Sequence, residues 1–198
     1  MASELLLGVS SDGVRVAETD AGAASVEALA NEARDRGAEL LWVHSDDDLS
    51  ALGLARAAGY VRLRADRCPA GAPLPLLARE DYPRLLDAAY RALWGHKQVA
   101  PDAAPPEGAV VVSLVEQGEP VGLCTVLPAE RLIDGPGLVP GRRLPELYAT
   151  LLLGACARLG PGPVDLDSWG DGPDVIRAYQ EAGFAVVDRV GGWELRLR

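Results

Sequence analysis

Few residues in this chain have both the type and the setting for chemistry. Tyr179 stands in the run DGPDVIRAYQEAGFAVVDRV, three and four residues after Ile176 and Val175, so on a helix its phenol shares their apolar face. That setting suits a phenol at the mouth of a cleft that hands a proton to a leaving group, and equally a core tyrosine whose hydroxyl finds a partner. Arg142 and Arg143 precede Pro145, a residue type at home at the first position of a helix. Two guanidiniums before a helix N-terminus can pair with phosphate oxygens or stand in a solvated loop. Asp134, Asp165 and Asp167 lie near two strand-like runs and are candidates for a base or a water-holding carboxylate, in a chain rich in surface carboxylates. The two histidines, His44 and His96, are far apart with no cysteine beside either, which argues against a metal centre. No nucleophile elbow, paired cysteine motif or phosphate-binding GKS/GKT loop occurs.

Composition narrows the setting. The 198 residues are 48% apolar and carry a formal net charge of −10, so one sizeable core or two small ones can form. Nucleic acid and anionic membranes are poor partners, because phosphate neutralisation needs clustered Lys and Arg. An acidic surface suits a cationic amine and is also a common solubility device. Cys68, Cys124 and Cys156 are scattered and odd in number, as expected of a reducing cytoplasm. The N-terminal MASELLLGVSSDG has no basic region or long apolar stretch, so the expectation is a soluble cytoplasmic protein without an export signal or a membrane span.

The elements that must position the candidates follow from periodicity and punctuation. CPAGAPLP, ending at Pro75, breaks both helix and strand periodicity and reads as a linker over 69–75. Before it, the pattern predicts strands over 5–9 and 14–18, a helix through Val26, Leu29, Ala30 and Ala33 stopped by Gly37, and a buried strand over 40–43. A second helix over 49–58, closed by Gly59, and a strand over 60–64 complete this stretch. After the linker, Asp81 opens a helix with Leu85, Leu86 and Ala89 on one side. A hairpin over 110–115 and 121–127 and a strand over 132–138 come next. A helix from Pro145 to about Arg158, a strand over 164–167 and a helix between Pro173 and Gly183 follow, with strand runs over 184–190 and 193–197 at the end. Laying Gly183 on Gly59 puts Ala157 and Arg158 on Ala33 and Arg34, Ala182 on Ala58 and Phe184 on Tyr60. The chain therefore reads as a truncated unit over 1–68 and a complete one over 76–198.

The order of elements in the second unit, together with DVIRAYQEAGF, resembles the GNAT superfamily of N-acetyltransferases, over roughly residues 74–198. The expected fold class is accordingly α/β, a mixed sheet of the acyl-CoA N-acyltransferase type with a partial N-terminal repeat. The resemblance implies acetyl-CoA as co-substrate and an amine of a small molecule or peptide as acceptor. It also implies that Tyr179 acts as general acid toward the leaving thiolate. CoA would lie between the splayed fourth and fifth strands, with the backbone of Leu138 and Val139 pairing the pantetheine and Arg142, Arg143, Leu144, Pro145, Glu146 and Leu147 near the pyrophosphate. Trp94, His96 and Trp169 would line the acceptor pocket. The sequence departs from the family at the phosphate loop, where Pro145 and Leu147, or Glu146 and Tyr148, occupy the two glycine positions. Proline withholds an N–H, and Glu146 places a negative charge near the phosphates. In the first unit Thr19 stands where the basic residue belongs and Ala55 where the tyrosine does, which makes that unit a scaffold. A fold without catalysis that binds a ligand or a partner is the alternative.

Overall fold

The computed structural model describes residues 5–9, 13–93, 99–169 and 172–197. Among them are the strands β1 (Leu6–Val9), β2 (Arg15–Asp20), β3 (Leu40–Ser45), β4 (Ala55–Ala65), β5 (Val110–Glu116), β6 (Glu119–Leu127), β7 (Leu132–Leu138), β8 (Val164–Ser168) and β9 (Ala185–Arg196). The helices are α1 (Val26–Asp35), α2 (Tyr82–Leu93), α3 (Pro145–Cys156) and α4 (Pro173–Glu181). All nine strands join one sheet in the order β1-β2-β3-β9-β4-β8-β7-β6-β5. An apolar layer under α3 and α4 includes Leu63, Ile133, Leu151 and Leu166, and a neighbouring one under α1 includes Leu41, Val43 and Trp193. The opposite face carries α2, whose Tyr82, Leu85, Leu86 and Ala89 pack with Val16, Trp42, Leu123 and Trp169. No helix among the described residues is long and apolar enough to cross a membrane.

Most elements stand where periodicity put them, and two differ. Residues 49–58 are not a helix: one 3-10 turn over Ser50–Leu52 ends at Gly53 in the left-handed region, and β4 begins at Ala55. The ARAAGYVRL stretch is helix-compatible in isolation, but it fills the slot between β8 and β9, whose backbone groups only a strand can pair. Ala55 is therefore not a helical counterpart of Tyr179. Ahead of α2 the chain meets β5 through one bridge between Leu76 and Val112, since Pro73 and Pro75 can donate nothing to a ladder. The two closing runs are one continuous strand, β9, whose register against β4 shifts between Ala57 and Tyr60.

The sheet has a two-fold regularity about the β4·β9 pair. β1 is antiparallel to β2 as β6 is to β7, and β2 runs parallel to β3 as β7 does to β8. Leu40 of β3 faces Arg196 of β9, and Val164 of β8 faces Ala65 of β4. The last strand of each half lies against the other half's strands. At the centre Gly59 lets the chains touch, because a Cβ there would sit 2.1 Å from the Val190 carbonyl oxygen.

Candidate functional site

The two parallel strand pairs differ where it matters. β2 stays in register with β3 from Val16↔Leu40 through Asp20↔His44, whereas β7 pairs β8 only through Leu132↔Asp165, Ile133↔Leu166 and Asp134↔Asp167. Beyond Asp134, β7 pairs β6 alone, with an irregularity that leaves Gly135 unpaired at φ +30°. An extra residue in one strand bends it and ends its pairing on the far side, so β7 and β8 part at Asp134 and Asp167. Val139 donates its N–H to the Val121 carbonyl (3.0 Å), and its carbonyl accepts from Arg142 N–H (3.1 Å). Because successive strand residues address opposite edges, Leu138 turns its backbone toward the gap.

Trp169, the first residue beyond β8, covers the α2 side of this gap and is only 2% exposed. Its Nε1–H donates to Asp134 Oδ1 at 2.5 Å, and the Tyr90 ring meets it edge-on with centroids 4.8 Å apart. The indole comes this near because its neighbours are glycines: a Cβ on Gly135 or Gly137 would lie 2.4 or 2.8 Å from the ring. Burial holds the Asp134 carboxyl above the ordinary carboxylate range; the Trp169 hydrogen bond opposes this, and the charge of Asp167 adds to it. Burial likewise pushes the Tyr90 phenol up, with Asp134 contributing.

Asp165 and Asp167 have other work. Arg64 donates to both oxygens of Asp165 (2.6 and 2.8 Å) and Arg62 to both oxygens of Asp167 (2.6 and 2.7 Å). The Arg64 hydrogen bond holds Asp165 below its usual range. The paired spacing R-x-R against D-x-D was the available signal for this cross-strand ladder, and it separates these carboxylates from Asp134.

The turn into α3 places the remaining candidates. Gly141 sits at φ +81°, Arg142 Nε donates to Glu116 Oε2 at 2.7 Å, and Arg143 Nε to the Tyr148 hydroxyl at 3.0 Å. Leu144 is the N-cap with no side-chain cap bond, and its N–H turns to the Arg142 carbonyl. Pro145 follows as the first helical residue, Glu146 is exposed, and Leu147 packs on the core. Tyr179 is fully buried on the Val175–Ile176 face of α4, and its ring meets Tyr148 edge-on with centroids 6.4 Å apart. The loop arginine and the helical tyrosine, 36 residues apart by their numbers 143 and 179, are thus joined through Tyr148, which the sequence marked only as the occupant of a glycine position. Trp94 and His96 lie outside the described residues. Among those residues no group of His, Cys, Asp and Glu could hold a metal ion.

No family model and no curated protein matches this sequence. Solved structures do match. A candidate acetyltransferase from Pyrococcus horikoshii superposes with a TM-score of 0.67 at 12% identity, over 99% of this chain and 69% of that one. A GCN5-related N-acetyltransferase from Kribbella flavida gives 0.54 at 14% identity, over 98% and 89%. A tandem GNAT protein from the clavulanic acid biosynthesis pathway gives 0.54 at 14% identity, over 99% and 79%. With the sheet order and the parting of β7 from β8, these likenesses establish that the chain has the GNAT acyltransferase fold.

Proposed function

We infer that the chain is an N-acetyltransferase moving an acetyl group from acetyl-CoA to an amine of a small molecule or peptide. The observation that carries this reading is the opening between β7 and β8 with the partly buried carboxyl of Asp134 at its apex. An extended thioester arm in the gap pairs with the backbone of Leu138, leaving its carbonyl beside Asp134. The amine nitrogen attacks that carbonyl and a C–N bond forms. The nitrogen's proton passes to Asp134, whose raised proton affinity suits a base. As the C–S bond breaks, the thiolate takes the Tyr179 proton. The pyrophosphate lies at the start of α3, where Arg142 and Arg143 supply charge and Pro145 and Glu146 withhold it. Residues 1–68 form a truncated scaffold unit and 76–198 the complete one, exchanging their last strands across the β4·β9 centre.

The second reading is a GNAT fold that binds a ligand or partner without catalysis. It is favoured by Trp169 seated over the gap, by the Arg142–Glu116 pair and by Pro145 in the phosphate turn. Melting with added CoA or acetyl-CoA separates the two, because a ligand bound only by the folded state stabilises it by about 2.7 kcal/mol at a hundredfold excess over Kd. The enzyme reading expects a rise in Tm, and a flat response at millimolar CoA leaves the second. Where CoA binds, Tyr179→Phe is expected to slow turnover with CoA affinity kept; unchanged turnover removes Tyr179 from the acid role.

A further inference from the structure

The two-fold regularity of the sheet exposes a difference on the helix face. The β8-to-β9 connection crosses β4 as the helix α4, whereas the corresponding β3-to-β4 connection, residues 46–54, crosses β9 with only the turn Ser50–Leu52. Leu49 and Leu54 of this connection are buried with α1 and Trp193, so it runs on the same face as α4. Where a second helix would lie there is a cavity of about 550 Å3 at the carboxyl edge of the parallel strands, walled by Asp46, Arg56, Gly172, Arg189, Gly191 and Trp193 among others.

Hydrogen-bond donors share this cavity with the carboxylates of Asp46, Asp47 and Asp48. The Trp193 side chain is 4% exposed, and its Nε1–H has no hydrogen-bond partner. A buried donor of this kind is destabilising unless something accepts from it. That nitrogen stands beside the cavity-lining Gly191, 2.8 Å from where a Cβ on that glycine would be. The Arg56 guanidinium lies 5.6 Å from the Trp193 ring centroid, and its charge also acts on Asp48 of the cavity wall. The N-terminus of α4 opens at Gly172 without a side-chain cap, adding the positive end of a helix dipole. Two of the three wall aspartates are already engaged: Asp47 Oδ2 accepts from Ala23 N–H (2.8 Å) and Asp48 Oδ1 from Ser50 N–H (2.9 Å). Asp46 is exposed.

We propose that this cavity binds the oxyanion group, phosphate or carboxylate, of a small molecule between Arg56, Arg189, the Trp193 indole N–H and the start of α4. The site is independent of acyl transfer at the β7–β8 gap and exists because the first unit's connection is too short to fill the space over β9. The probe is Trp193 itself: in two-dimensional proton–nitrogen spectra, the indole resonance of this residue is assigned with Trp193→Phe or, if that variant does not fold, by triple resonance. Inorganic phosphate and malonate are titrated separately against chloride at matched ionic strength. The expected result is a saturable downfield shift with one anion in the millimolar range, and which anion gives it identifies the source. Arg56→Gln with Arg189→Gln, both at exposed positions, weakens it at least tenfold, and Asp46→Asn tightens it about twofold by removing a like charge. The proposal is overturned if neither anion gives a saturable shift beyond chloride, or if the midpoint is unchanged in the double arginine variant.

Discussion

Replacing Gly59 by alanine tests the sheet at its centre. In a helix-stop role, as the sequence pattern suggests, the glycine serves only a left-handed turn, and alanine there costs about 1 kcal/mol. In the structure Gly59 lies within β4, where a Cβ meets the Val190 carbonyl oxygen at 2.1 Å and the Gly192 nitrogen at 2.6 Å. Both are backbone atoms, so no rotamer change relieves the overlap. Normal contact needs β4 and β9 to move apart by roughly 1 Å, which breaks ladder bonds where the two halves of the sheet join. Such overpacking against backbone costs about 3 kcal/mol or more, a fall in Tm of about 6–12 °C for a chain of this size. Gly183→Ala is the control. That glycine sits at φ +104° with its nearest outside atom 3.8 Å away, so only backbone strain of about 1–2 kcal/mol applies. Urea unfolding of both variants gives the comparison. A Gly59→Ala loss under about 1 kcal/mol, or one no larger than that of Gly183→Ala, refutes the close approach of β4 and β9.

Further outcomes are as specific. Asp134 binds its proton more tightly folded than unfolded, so its ionisation weakens the fold as pH rises from the ordinary carboxylate value, near 3.8, through the raised one. Asp134→Asn, which keeps an oxygen for Trp169, is expected to match the parent's stability near pH 4 and exceed it at pH 8 in urea unfolding, while lowering kcat by about 10²–10⁴. Glu146→Gln removes a negative charge from the phosphate turn and is expected to tighten CoA binding about two- to fivefold by calorimetry. Arg62→Gln is expected to cost about 0.5–1 kcal/mol, with a loss that shrinks in high salt, since the Arg62–Asp167 pair is half exposed.

Local patterns carried the α/β order because strands and helices advertise themselves through alternation and punctuation. The hairpin β5–β6, the start of α3 at Pro145 and the turn at Gly183 stand where residues alone put them. The tyrosine segment carried the fold family for the same reason, since its helix, glycine and aromatic are contiguous. The 49–58 stretch failed because its state is decided by neighbours more than a hundred residues away, β8 and β9. Asp134 could not be told from Asp165 and Asp167 by type; the matched R-x-R and D-x-D spacings were the one hint, and the third dimension brings arginines to two of them and an indole to the other.

The sequence by itself pointed to an acidic GNAT-like chain, a candidate phenol at Tyr179 and a turn before α3 without the family's glycines. Each of these is a property of neighbouring residues. Only the tertiary structure decided that the halves trade their last strands and that Gly135 bends β7 off β8. It also decided that Trp169 covers the opening, that Cys68 Sγ comes within 3.4 Å of the Cys156 carbonyl, and that a cavity stands over β9. Those features depend on which segments pack together, and packing is selected by burial and backbone pairing across the whole sheet, quantities that no local window contains.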